Sequence, residues 1–244
     1  MGKWNYGCCF FEKRSLNNFS IIIPLYNEAD NINPLYLEII ESIPKNFNYE
    51  IIFINDHSTD DTNIILDKLS KKKFVNILNN KMNMGQSFSI MYGIKAANYD
   101  TIVTIDGDGQ NVPKDIVRLL KVYDSSKDIF LVGGVRVLRK DSFIKVLSSK
   151  IANKVRSLLL SDNCPDTGCG LKVFSKRVFI KFPFFDGIHR FLPALFKGYG
   201  YSTKFIYVNH RKRKYGNSKY GTLNRLFKGI RDMFKVKKII KQKN

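Results

Sequence analysis

The sequence predicts an α/β fold, a mostly parallel sheet flanked by helices. Two observations carry that prediction. Short apolar, β-branched runs alternate with segments of helical periodicity, and those runs end in clusters of Asn, Asp and Gly. Such alternation favours parallel strands, because each crossover helix returns the chain to the same edge of the sheet.

Residues 19–24 form the first expected strand, and residues 33–43 a helix with Leu35, Ile39, Ile40 and Ile43 on one face. Residues 49–54 form a second apolar strand. Ser58 is placed to cap the next helix, with Asp60 and Asp61 in its first turn and Ile64, Ile65 and Leu69 facing inward. A third strand is expected at 74–78, a helix at 87–97 and a strand at 101–105. Pro113 suits the first position of a helix that runs to about Tyr123, and a strand follows at 129–132. Residues 143–160 are amphipathic, with Ile144, Leu147, Ile151, Val155 and Leu158 in one stripe and Lys145, Lys150 and Lys154 off it. Residues 163–170 are a turn-rich loop, 205–208 a strand and 210–220 a basic loop. From Thr222 a basic amphipathic helix is expected, with Leu223, Leu226, Phe227, Ile230, Met233 and Phe234 on its apolar face. The organisation is an extension at 1–18, one domain at 19–220, and the helix at 221–244 as a C-terminal appendage.

The most informative stretch is Asp106-Gly107-Asp108-Gly109-Gln110, directly after the 101–105 strand. Two carboxylates at i and i+2 make a hard-oxygen site for a divalent cation. Glycines let a ligand approach the backbone. An Asp-Gly string also suits a solvated turn. It is not a calcium loop of the EF-hand type, because Asn111 and Val117 stand where Gly and Glu belong. The first strand ends in Pro24-Leu25-Tyr26-Asn27-Glu28 and the second in Asn55-Asp56-His57-Ser58-Thr59-Asp60. In an open α/β sheet, ligands bind at the strand C-termini. Acids and amides at three strand ends suit the hydroxyls and N–H groups of a nucleoside. Glycine-rich dinucleotide and P-loop fingerprints are absent.

The net charge is +20, and 201–244 together with 136–160 carry +19 of it. A near-neutral body with a basic surface predicts an anionic partner, nucleic acid or membrane. No apolar run approaches the ~20 residues of a membrane span, and MGKWNYGCCFFEKR lacks a secretory core. The four cysteines are expected to be reduced, and three scattered histidines argue against zinc.

Ordered motifs extend the reading. SIIIPLYNEADNI, IIFINDHSTDDT, NMGQSFSIMYGIKAA, TIVTIDGDGQNVP, DTGCGLKVFSKRVF, HRFLPALFKGYGY and VNHRKRKYGNSKYG resemble the inverting family 2 glycosyltransferases of GT-A fold. Within them the likeness is to dolichol-phosphate mannosyltransferase and bacterial polyprenyl-phosphate glycosyltransferases. The resemblance implies Pro24, Tyr26, Asn27, Glu28, Asp56, Asp106, Gly107 and Arg136 at the nucleotide sugar. It implies Asp106, Asp108 and Gln110 at Mg²⁺ or Mn²⁺. Asp108, Asp166, Arg213 and Lys219 are the implied catalytic set, with Arg213, Ser218 and Lys219 on a mobile basic loop over phosphates. Asn55 and His57 depart from the usual Asp and Gly, which leaves the base, UDP or GDP, open.

The implied reaction moves a hexose from a nucleotide sugar to polyprenyl phosphate at the cytoplasmic membrane face. Relatives often carry C-terminal transmembrane helices, whereas this sequence stops at Asn244 without one. The expectation is therefore a peripheral enzyme on an anionic membrane surface, docking on a separate membrane protein. Competing readings are transfer to a saccharide or other hydroxyl, a basic nucleic-acid-binding module, and an inactive scaffold. No RRM, KH or zinc-finger signature supports specific nucleic-acid binding.

Overall fold

The computed structural model describes residues 18–137, 156–157, 159–215 and 222–243. In chain order the elements are β1 (Asn18–Leu25), α1 (Ala29–Ser42), β2 (Asn48–Asn55), α2 (Thr62–Leu69), β3 (Val75–Asn79), α3 (Gln86–Ala96) and β4 (Thr101–Thr104). There follow α4 (Lys114–Asp124), β5 (Ile129–Arg136), β6 (Lys172–Ser175), α5 (Lys176–Phe179), α6 (Ile188–Gly198), β7 (Ser202–Val208) and α7 (Thr222–Lys243). The described strands form one seven-stranded sheet in the order β3-β2-β1-β4-β6-β5-β7. β1, β2, β3 and β4 run parallel, as do β5 and β7, whereas β6 is antiparallel to both neighbours.

Strand alternation sets two cores. Phe19, Ile21, Ile23 and Leu25 of β1 join Ile32, Leu35 and Ile39 of α1, Leu66 of α2, and Ile116 and Leu119 of α4. Ile22, between them, joins the opposite core with Ile90 and Ile94 of α3 and Phe191 and Leu195 of α6. Burial on both faces explains why β1 and β2 read as continuous apolar runs.

Several boundaries differ from expectation. α1 begins at Ala29, with Pro34 inside it, not at Asn33. Pro34 falls in the second turn, so the helix forgoes one backbone bond there. Ser58 does not cap α2: its Oγ accepts the Asn27 N–H at 3.0 Å, and Asp60 Oδ1 accepts from Thr62 N at 3.0 Å where the helix starts. β6, α5 and α6 were not anticipated.

The C-terminal helix is no mere appendage. Val236 is fully buried, and Met233, Ile239 and Ile240 pack beside it in the α6 core. Ile230 and Phe234 instead point outward, at 40% and 61% exposure. The single apolar stripe expected on this helix is therefore two. The stripe expected at 143–160, from Ile144 to Leu158, lies outside the described residues.

The two described basic side chains of the segment 136–160 are both committed to ion pairs. Arg156 is buried in an ion pair with Asp162 and also donates to the Cys164 carbonyl. Arg136 pairs with Asp166.

Glu50 anchors the N-terminal edge of the sheet. It is buried and accepts from Ser20 Oγ at 2.6 Å, Asn98 N at 2.7 Å, Asn98 Nδ2 at 2.8 Å and Asn76 Nδ2 at 2.9 Å. Glu50→Ala orphans these donors and is expected to cost about 3 kcal/mol. Urea unfolding checks this. Activity per folded molecule should hold, because the strand C-termini lie at the other edge.

Candidate active site

β1 and β2 pair through Leu25↔Asn55, and Ile22 of β1 pairs with Thr104, so the first, second and fourth strands end together. Asp106 and Asp108 leave this edge after β4. Gly107 is fixed by packing: a Cβ there would lie 2.3 Å from Leu25 Cδ2 and 3.0 Å from the Pro24 carbonyl oxygen. What requires glycine at 107 is this seat against β1 rather than a ligand's approach. Asp108 Oδ1 accepts from Gln110 N at 3.1 Å, and Gly109 takes φ +70°, which together form a tight Asx turn.

Asp106 is cradled. Gln86 Nε2 donates to its Oδ1 at 2.9 Å. Its Oδ2 lies so close to Gly170 that a Cβ on that residue would be 2.1 Å away. Burial, and then the Asp108 carboxylate, push Asp106 up to about 6 against the pull of Lys172, Arg136 and Gln86. Two carboxylates forced together at low solvation are the electrostatic condition that a divalent cation relieves. Among the described residues no group of three or more His, Cys, Asp and Glu side chains is placed to hold a metal. The pair would bind a cation with most coordination positions open, the pattern of Mg²⁺ that also takes phosphate oxygens and water.

The first two strand ends are clasped to each other. Asn27, at φ +51°, accepts from Thr59 N at 2.7 Å and donates to Thr59 Oγ1 at 3.1 Å. Glu28 N donates to Thr62 Oγ1 at 3.2 Å, and Glu28 Oε2 accepts from Asn31 Nδ2 at 2.8 Å. Asp56 is buried and organises the next loop, accepting from Asn80 Nδ2 and Met84 N at 2.7 Å and from Gly85 N at 2.8 Å. Pro24 and Tyr26 are half-buried at the same edge.

The second half of the chain closes the site. Arg136 Nε and Nη2 each meet an oxygen of Asp166 at 2.7 Å, a bidentate pair. The Arg136 and Gly168 backbone N–H groups add bonds at 3.3 and 3.1 Å. After β7, the segment 209–213 is strapped to the Gly109–Asp115 turn. Asn209 N donates to Asp115 Oδ2 at 2.6 Å, Arg211 N to the Gln110 carbonyl at 3.0 Å, and Arg211 Nε to the Gly109 carbonyl at 2.5 Å.

Gln110 Nε2 donates to the Arg211 carbonyl at 3.3 Å, so its amide serves the strap. Arg211 also forks onto Glu38, holding that carboxyl below its ordinary range. Arg213 reaches Glu28 Oε1 at 2.6 Å and Asp108 Oδ2 at 3.6 Å, joining the end of β1 to the end of β4. His210 bridges to Asn111 on this strap, and burial, then Arg136, hold its imidazole below the ordinary range.

Ser218 and Lys219 lie outside the described residues, as do Cys8 and Cys9. Cys164 and Cys169 are free and buried, and burial pushes the Cys164 thiol up to about 11, so it is an inert packing group. Sequence reasoning assigned no role to Gln86, Gly170, Lys172, His189, Asp115 or Arg211. Gln86 and His189 stand within motifs already singled out. Lys172, a cation inside an otherwise apolar run, was the available signal for an interior charge.

Comparison with known proteins agrees with this architecture. The model of glycosyl transferase family 2 matches residues 20–182. The undecaprenyl-phosphate 4-deoxy-4-formamido-L-arabinose transferase of Yersinia enterocolitica is 30% identical over 217 residues, 87% of this chain and 65% of that protein. The dodecaprenyl-phosphate galacturonate synthase of Rhizobium johnstonii is 30% identical over 223 residues, 89% of this chain and 65% of that protein. The chain therefore spans just under two thirds of the length of these relatives.

Among solved structures, glucosyl-3-phosphoglycerate synthase of Mycobacterium tuberculosis in complex with UDP superposes with a TM-score of 0.68 at 16% identity. The match covers 91% of this chain and 81% of that one. The same enzyme with Mn²⁺, UDP and its product gives 0.66 at 16% identity, covering 90% and 78%. That likeness establishes the GT-A architecture. With the family model covering two thirds of its length, the chain belongs to glycosyl transferase family 2.

Proposed function

We propose that this chain transfers a hexose from a nucleotide sugar to a polyprenyl phosphate by an inverting, metal-dependent reaction. The observation that carries the reading is the Asp106–Asp108 pair, set at the strand ends and faced by Arg213 and the Arg136–Asp166 pair. Asp106 and Asp108 would hold Mg²⁺ or Mn²⁺. That ion, when bound, offsets the negative charge developing on the departing nucleoside diphosphate. Pro24, Tyr26, Asn27 and Glu28 line the nucleotide side, while Asp56 shapes the loop beside it.

Arg213 has a second task. It now bridges Glu28 and Asp108, and its planar fork suits the diphosphate oxygens equally well. The acceptor phosphate oxygen attacks the anomeric carbon from the face opposite the diphosphate. One C–O bond forms, the other breaks, and the electron pair leaves on the diphosphate oxygen. An anionic phosphate oxygen needs no base. Asp166 fits that demand, since both its oxygens engage Arg136, the arrangement of an anchor rather than of a proton acceptor.

The relatives named for undecaprenyl and dodecaprenyl phosphate support a lipid acceptor. No described helix is long and apolar enough to cross a membrane. Outward Ile230 and Phe234, near Arg231, Lys237, Lys238 and Lys241, suit the interface of an anionic bilayer, where each basic side chain adds about 1 kcal/mol. We place the enzyme there, on the cytoplasmic face.

The test is a panel of UDP- and GDP-hexoses with Mn²⁺, with and without polyprenyl phosphate. Transfer should require both the lipid and the metal, and Asp166→Asn should lose about tenfold or less. Transfer undiminished by EDTA would overturn metal dependence. A hydroxyl acceptor preferred over lipid phosphate, with a collapse in Asp166→Asn, would favour the saccharide reading.

A further inference from the structure

Between α3, α6 and the end of β4 lies a pocket of about 10 Å³, room for one water-sized group. Asp106 forms part of its lining, and so do Gln86, Lys172 and His189, with Ile90 and Leu192 adding apolar surface. Lys172 is buried and its ammonium donates to the Cys169 carbonyl. The transfer step described above uses neither Lys172 nor His189.

Ser87 fixes how the His189 ring is set. Ser87 is buried, and its Oγ accepts the Gly187 N–H at 2.7 Å. The same hydroxyl bonds His189 Nδ1, also 2.7 Å away, which leaves Nε2 as the other polar atom of the ring. His189 sits in the first turn of α6, and Gly187 is the residue before that helix, so the same bonds fix the ring against the helix start.

The lining selects its occupant. An anion would face Asp106, and a cation would face Lys172. A neutral group that both donates and accepts satisfies both sides, and at this volume that is one hydroxyl or the water it displaces. Resting on the reading that a donor diphosphate lies at Asp106 and Asp108, we propose that this pocket receives one hydroxyl of the donor hexose. His189, through Nε2, is the group that reads it, which makes His189 a specificity-determining residue for the sugar.

The test is a binding cycle that needs no turnover. Calorimetry with Mn²⁺ present compares UDP-glucose, UDP-galactose and GDP-mannose with the monodeoxy derivatives of the tightest binder, on wild type and His189→Ala. One deoxy position should cost wild type about tenfold in affinity, the worth of one hydrogen bond. His189→Ala should lose a similar factor with the parent sugar and nothing further with that derivative. UDP alone should bind both proteins equally, and His189→Phe, which keeps a ring but removes both nitrogens, serves if the alanine variant does not fold. Independent, additive losses at every deoxy position would overturn the pocket assignment while leaving the transferase reading intact. Failure of wild type to bind any nucleotide hexose would instead sink the transferase reading itself.

Discussion

Asp108→Ala is expected to abolish transfer, lowering kcat/KM roughly 10³-fold or more, while the protein stays folded. Asp108 is partly exposed, and its bonds are the Asx contact to Gln110 N and the 3.6 Å approach of Arg213. Arg213 keeps Glu28 at 2.6 Å when Asp108 is gone. The stability cost should therefore stay near 1 kcal/mol, measurable by thermal melting. The loss should appear first in Mn²⁺ binding followed by calorimetry in the presence of UDP. An Asp108→Ala protein that binds Mn²⁺ as wild type does, and transfers sugar, would remove the carboxylate pair from the mechanism.

The second large effect is expected at a residue with no side chain. In Gly170→Ala the new Cβ would sit 2.1 Å from Asp106 Oδ2 and 2.3 Å from its Cγ, so something must move. The backbone resists: Thr104 Oγ1 holds the Gly170 carbonyl at 2.7 Å, and β6 is paired on both sides immediately after. Asp106 is the easier part to displace, at the loss of its 2.9 Å bond from Gln86. Mn²⁺ affinity and activity should fall by roughly two to three orders of magnitude, close to the effect of Asp106→Ala. Far-UV circular dichroism should be unchanged and the melting temperature lowered by a few degrees. Normal metal affinity in Gly170→Ala would mean that Asp106 does not need this seat.

Much of this was legible in the sequence, for identifiable reasons. β1, β2 and β4 are buried on both faces, so their composition alone marks them, and the acids they release stand in short, ordered motifs. β6 escaped notice because it has only four residues and opens on a buried lysine. α6 escaped because Pro193 sits inside it. The same kind of interruption misplaced the start of α1, where Pro34 belongs to the helix interior.

At the site, residue types were readable but partners were not. Asp56 looks like a ligand contact in sequence, and its three bonds to the 80–85 loop depend on a fold that brings positions 24 or more residues apart together. The Arg136–Asp166 and Arg213–Glu28 pairs span 30 and 185 residues, distances at which local pattern carries no information. Gly170 looked like one more turn residue until Asp106 was placed against it.

The reversed direction of β6 has an architectural consequence. A strand parallel to β4 delivers residues to this edge through the loop that follows it. β6 runs the other way, so it delivers the loop that precedes it, and Asp166 and Gly170 arrive from upstream. The wall of the cleft opposite the β1, β2 and β4 ends is thus written in a separate stretch of chain, moored by Arg156 to Asp162 and Cys164. Insertions or swaps in that stretch leave the hydrogen-bond register of β1, β2 and β4 untouched. Such a division lets one half of a cleft diversify while the other half keeps a constant partner.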